Sequence, residues 1–329
     1  MRAAILGLPG PALDPETRAP LAQHPPAGVI LFARNIETPD QLRRLTADLR
    51  AALPPGAVIA VDQEGGRVAR LRPPHFTAHP AASRIGAVFA RNQHAGRRAA
   101  FLHGMLIGAE CAALGFDMVC APVLDRAVPG ATTAIGDRAF DADPETVALL
   151  GRAMAEGLAA GGVIPVMKHL PGHGRALADS HLALPELADI DEADLLAFQR
   201  NADLPCAMTA HLLYRAVDQD NPATLSARLI AEVIRGRIGF GGLLLSDDLA
   251  MHALQGAPEH RAQACLRAGC DIALYCPGEV AQNRSVLEHC PPLSVTAEAR
   301  LHQARDFVAA RAVPCDIAAA SAERASLLA

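Results

Sequence analysis

Eight short apolar runs recur along this chain, and each gives way to polar or turn-forming residues before the next helical stretch. They lie at residues 3–6, 28–32, 58–61, 116–120, 163–167, 206–209, 242–245 and 271–275. Runs that are apolar throughout suit parallel strands buried on both faces. Alternation of such runs with helical patterns implies a parallel α/β sheet. Eight repeats within ~250–330 residues predict a closed (β/α)₈ TIM-type barrel in a single domain. The competing architecture is an open doubly wound sheet, which usually carries a glycine-rich phosphate turn after an early strand. The chain contains neither GxGxxG nor GxxxxGK[ST].

The spacing predicts helices over 39–53, 95–114, 144–160, 192–200, 227–238, 259–268 and 296–312. Thr38, Asp143, Asp191 and Ser226 precede four of them as caps, and Gly239 and Gly269 end two. The excursions 70–93 and 251–258 read as barrel loops. On this reading residues 1–312 form the barrel. Residues 313–329 are a poorly patterned tail, expected to be partly disordered.

Composition narrows the function classes. The 329 residues are 51% apolar, enough for a large core, and carry a net charge of −5 with both signs scattered. No basic block is present, which argues against a nucleic-acid partner. The first apolar run is cut by Pro9 and Pro11, and no run reaches membrane-spanning length. A soluble, cytoplasmic protein with no membrane partner is expected. The eight cysteines contain no CxxC pair, so they are expected to be reduced, buried hydrophobes rather than a zinc site.

The barrel dictates where chemistry would gather, because residues just after the strands share one rim. Here they are Asn35, Asp62, Glu64, Asp125, Lys168, His169, His211, Asp247 and Asp248. The densest stretch is MKHLPGHGRALADSH, residues 167–181. It brings His169, His173 and His181 together with Lys168 and Asp179, broken by Pro171, Gly172 and Gly174. At Ser246-Asp247-Asp248 two acids end a strand. Neighbouring strand residues point opposite ways, so one acid faces the axis, as a nucleophile or metal ligand, while the other caps. In DQEGGRVAR, residues 62–70, a carboxylate can take sugar hydroxyls bidentately and an arginine can clamp another part of a ligand. Glu64 and Arg67 read there as a local ion pair. IGDRAF, residues 135–140, places Arg138 in a glycine-bearing loop.

Taken together and in register, KHLPGHG with ADSH, DQEGGRVAR, SDDL and GDRAF resemble the family 3 glycoside hydrolases. Within that family they are similar to the single-domain bacterial β-N-acetylhexosaminidases of peptidoglycan recycling. The resemblance spans residues 28–277. It implies Asp247 as catalytic nucleophile, His181 as general acid/base and Asp179 as its partner. It implies Asp62, Arg70, Arg138, Lys168 and His169 as binders of a terminal N-acetylglucosamine. The implied activity is retaining removal of β-linked N-acetylglucosamine from muropeptide fragments, with no metal and no cofactor, by a protein expected to be a monomer. The chain departs from the family pattern at Leu170 (usually Phe), at Asp137, Ala139 and Phe140 (commonly Glu, Ser and Tyr) and at His252 (usually Glu). Two alternatives are a metal-dependent barrel hydrolase using His169, His173, His181, His211 and Asp247, and a non-catalytic sugar-binding barrel. Phosphate in place of water as acceptor is a further variant.

Overall fold

The computed structural model describes residues 1–180 and 183–329. Its strands are β1 (Arg2–Gly7), β2 (Pro26–Leu31), β3 (Val58–Val61), β4 (Met118–Val119), β5 (Ile164–Leu170), β7 (Cys206–Thr209), β9 (Leu243–Leu245) and β10 (Ala273–Tyr275). A separate small pair is formed by β6 (Glu186–Leu187) and β8 (Leu213–Tyr214). The large sheet runs β10-β1-β2-β3-β4-β5-β7-β9, with every pairing parallel. A parallel bridge from Leu245 to Ile272 joins its two edges. The result is the expected (β/α)₈ barrel.

Helices pack around the sheet: α1 (Pro15–Gln23), α2 (Pro39–Ala52), α3 (Ala82–Arg91), α4 (Gln93–Ala113), α5 (Pro144–Ala160), α6 (Glu192–Gln199), α7 (Pro258–Ala268), α8 (Val280–His289), α9 (Val295–Ala309) and α10 (Ile317–Leu328). The segment Leu229–Arg237, expected as an α-helix, is wound as a π-helix. Thr38, Asp143 and Asp191 cap α2, α5 and α6 by accepting a backbone N–H near each helix start. Four helices were not legible in the pattern. α3 lies inside the stretch read as a loop, and its N-cap, Ala81, offers no side-chain acceptor. α8 likewise has no side-chain cap. α1 begins at Pro15 and contains Pro20, so its prolines read as breakers. α10 lies in the 313–329 tail, capped by Asp316, and buries Ala320 and Arg324.

The pleat decides what enters the barrel. Val58 and Ala60, Ile164 and Val166, Leu243 and Leu245, and Ile272 and Leu274 all belong to one buried cluster, the barrel interior. Leu293, Ala297, Leu301 and Ala304, on α9 and just before it, join that cluster and plug the barrel's N-terminal mouth. The intervening residues, such as Ile59, Val61, Met167 and Leu244, belong to the outer core beneath the helices. At the opposite end the inward rows continue into polar residues, which line the cavity described next. Among the described residues no helix is long and apolar enough to cross a membrane.

Candidate active site

Extending each inward row by one pleat names the centre of the site. Val58 and Ala60 lead to Asp62, Ile164 and Val166 to Lys168, and Leu243 and Leu245 to Asp247. All three line one cavity of about 290 Å³ at the C-terminal mouth of the barrel. That is the low end of small-molecule sites, which suits a single sugar ring. His169 lines the same cavity as its neighbour Lys168, at the point where the β5–β7 register shifts between Lys168 and Leu170. Arg70, Arg138 and Asp179 complete the set of expected residues on its wall. The expected acid/base, His181, lies outside the described residues.

The cations and carboxylates form one network. Lys168 is only 2% exposed. Its Nζ lies 2.9 Å from Asp62 Oδ1 and 2.7 Å from Glu64 Oε1. Arg138 donates to both Glu64 oxygens at 2.8 Å, and Arg70 Nη2 to Asp62 Oδ2 at 3.2 Å. The expected Glu64–Arg67 pair does not form. Glu64 turns inward to Arg138 and Lys168, and Arg67 instead meets Asp137 at 2.9 Å. The reason is dielectric: two buried cations need a fixed counter-charge, whereas Arg67 is exposed and solvated. Glu64, expected on the rim, is thus in the site as read, but its partners are Arg138 and Lys168 rather than Arg67. Arg70 keeps its buried Nε without a hydrogen-bond partner, and its guanidinium stacks on Phe32, 5.3 Å from the ring centroid. Phe32 also lines the cavity. It was missed, although it extends the inward Ile30 row.

Asp125 is the second organising residue. It is 1% exposed. Its Oδ2 lies 2.6 Å from His169 Nδ1, and its Oδ1 accepts the backbone N–H of His173 at 2.5 Å. The pair orients the His169 ring, whose Nε2 lies 3.5 Å from Arg138 Nη2. His173 is buried, with Nε2 3.1 Å from Ser180 Oγ, so it ties down the segment next to Asp179. The loop's stem is held by Asp194, which accepts from Arg126 at 2.8 Å and Arg175 at 2.6 Å.

Electrostatics sort the acids. Burial pushes Asp62 upward, but the charges of Lys168 and Arg70 outweigh it and hold the carboxyl well below the usual range. Glu64 is held down against burial by Lys168 and Arg138. Those carboxylates in turn hold Lys168 above its ordinary value despite burial. Asp247 is lowered too, because the His211 and His169 rings outweigh its burial. Asp248 is instead raised by burial. Its Oδ1 accepts the N–H groups of Ala250 and Cys276, both at 3.0 Å, so it closes a turn and joins two strand ends. Both acids line the cavity, but only Asp248 is held by the backbone N–H groups of two segments. Of the departures from the family pattern, Leu170 and Phe140 are core residues and His252 is exposed. Among the described residues no group of three or more His, Cys, Asp or Glu could hold a metal ion.

With this geometry in view, the relatives are informative. Residues 3–309 match the N-terminal domain of glycosyl hydrolase family 3. The chain belongs to the family 3 glycoside hydrolases. As a member of family 3 it is a glycoside hydrolase, and its relatives are specific. A β-hexosaminidase of Alkalilimnicola ehrlichii is 43% identical over 91% of this chain and 88% of its own. One from Bordetella avium is 46% identical over 76% of this chain and 73% of its own. A solved structure of NagZ from Neisseria gonorrhoeae, in complex with N-trifluoroacetyl-D-glucosamine, superposes with a TM-score of 0.88 at 33% identity. It covers 100% of this chain and 98% of that one.

Proposed function

We propose that the barrel removes terminal β-linked N-acetylglucosamine with retention of configuration, through a covalent glycosyl ester on Asp247. One observation carries this reading: a carboxylate held below its ordinary range ends an inward strand row in the same cavity as a fixed cluster of charged groups. Asp62, Arg70, Arg138, Lys168 and His169 bind the sugar hydroxyls and acetamido group as charge-assisted partners. Asp247 attacks the anomeric carbon as the glycosidic C–O bond breaks, and His181 gives its proton to the departing oxygen. A water then gives a proton to His181 and its oxygen to the anomeric carbon, releasing Asp247. A histidine with an ordinary pKa of ~6.5 can serve in both directions near neutrality, with Asp179 orienting its ring. The natural substrates we favour are muropeptide fragments, N-acetylglucosamine linked to 1,6-anhydro-N-acetylmuramic acid with or without peptide. The support is the resemblance to peptidoglycan-recycling enzymes and the ligand in the Neisseria complex. The same reading makes residues 1–312 the catalytic unit of a cytoplasmic monomer that needs no metal.

Trapping with a fluorinated N-acetylglucosaminide and mass spectrometry tests the central step. The label is expected on Asp247, and Asp247→Asn is expected to lower turnover by at least ~10³. A label on Asp248 would overturn the assignment. Activity is expected to survive EDTA. Loss that zinc restores would favour the metal-dependent alternative, and N-acetylglucosamine 1-phosphate formed in phosphate buffer would favour phosphorolysis.

A further inference from the structure

His211, just beyond β7, does not line the cavity, yet it is fully buried close to Asp247. Its Nε2 lies 2.9 Å from the carbonyl oxygen of Asp248. A carbonyl oxygen can only accept, so Nε2 carries a hydrogen. Its Nδ1 lies 2.8 Å from Thr224 Oγ1. That hydroxyl donates to the Ala210 carbonyl oxygen at 3.0 Å and lies 2.8 Å from Thr209 Oγ1, which accepts the backbone N–H of Asp247 at 3.3 Å. The contacts therefore leave the peptide at the N–H of Asp247, pass through two threonines and one histidine, and return at the C=O of Asp248. They bracket the two residues of which one carries the nucleophilic carboxylate. Thr209, His211 and Thr224 are all 0% exposed, so no water substitutes for a missing member.

We propose that Thr209, Thr224 and His211 are positioning residues for Asp247, a buried hydrogen-bond ring that fixes the backbone from which the carboxylate is aimed at the anomeric carbon. The inference rests on the reading of Asp247 as nucleophile. Its chemical logic is pre-organisation. On that reading sugar binding is the work of groups on β5, on the loop after β3 and on the 138 loop, whereas the ring holds only the attacking group. Loosening it should slow attack without weakening binding. A structural role alone would do neither selectively.

The threonines give the cleanest test, because valine keeps the shape and removes only the hydroxyl. His211 is also two residues before β8, which pairs with β6 on the trailing part of the Asp179 loop, so large changes there would disturb a second element. Thr209→Val and Thr224→Val are expected to lower kcat on a nitrophenyl β-N-acetylglucosaminide by roughly 10–100-fold. The rate of labelling by the fluorinated sugar should fall in parallel, while its final stoichiometry and the inhibition constant of N-acetylglucosamine stay unchanged. Thr209→Ser, Thr224→Ser and His211→Gln, which retain a donor or acceptor, should recover most of the loss. Wild-type kcat in both valine variants, with Asp247→Asn inactive, would overturn the ring. Equal losses in valine and serine variants, with a lowered final stoichiometry, would also overturn it by reducing it to a folding effect. An active Asp247→Asn would instead overturn the nucleophile assignment on which the ring depends.

Discussion

Glu64 shows how a single buried side chain can set the character of a site. Two of its neighbours, Lys168 and Arg138, are cations with little water around them, and burial alone would disfavour their charge. Glu64 and Asp62 reverse that, and the four groups form a rigid array of donors and acceptors at fixed spacing. On the proposed reading such an array suits a ring of hydroxyls, because no side-chain freedom is lost on binding. Glu64→Gln removes one charge and leaves Lys168 and Arg138 undercompensated. It is expected to raise the inhibition constant of N-acetylglucosamine at least about tenfold and to cost about 1–3 kcal/mol in urea unfolding. Asp62→Asn should weaken inhibition similarly. Unchanged inhibition constants in both variants would show that the cluster does not hold the sugar.

Glu64 is presented by the loop after β3, and that loop is shaped by a Gly-Gly turn. Gly65 has φ +100°, and a Cβ there would fall 2.3 Å from the Pro80 carbonyl oxygen and 2.9 Å from His103 Cε1. Only glycine fits, on both counts. From beneath, the buried His103 Nε2 lies 2.9 Å from the Glu64 carbonyl oxygen, and Gly66 N–H donates to His79 O at 2.9 Å. Arg324 on α10 then reaches His79 Nδ1 at 2.8 Å, so the last helix of the chain helps seat the loop. Gly65→Ala must displace the loop, and with it Glu64. It is expected to raise KM on the nitrophenyl substrate by about tenfold or more and to lower the melting temperature. A variant with wild-type KM would mean that the loop geometry does not matter to binding.

The whole molecule carries a pH signature in its buried histidines. Burial, with help from the neighbouring His79, pushes His103 down to about 3. Burial pushes His173 down to about 4, although Asp125 opposes it. In the unfolded chain both titrate near ~6.5. Between there and their folded values the unfolded state binds more protons, so stability must fall as pH drops below ~6.5. The carboxylates Asp62, Glu64, Asp125 and Asp247 are held below their ordinary range. Their contribution is complete above ~4 and is lost only below it. The urea midpoint should therefore decline between pH 7 and pH 5, before the carboxylates act. His103→Gln, which keeps a donor toward Glu64 O, should shallow that decline. A flat profile over this range would contradict the burial argument.

Local signals in the sequence determined the barrel and most of its rim. Hydrophobic runs of strand length, caps such as Thr38 and Asp143, and the period of two that carries Val58–Ala60–Asp62 and Leu243–Leu245–Asp247 are properties of neighbouring residues. They are legible without contacts. α3 and α8 escaped notice because no side-chain cap marks their starts. Tertiary structure alone decided the partners. Whether Glu64 pairs with Arg67, three residues away, or with Arg138 and Lys168, far along the chain, depends on which cations are stripped of water. That is a property of the closed barrel, not of spacing. The same holds for the His211–Thr224–Thr209 ring and for Arg324 beneath the Glu64 loop. Each is a set of buried polar groups that satisfy one another because folding has replaced water with neighbours distant in the chain.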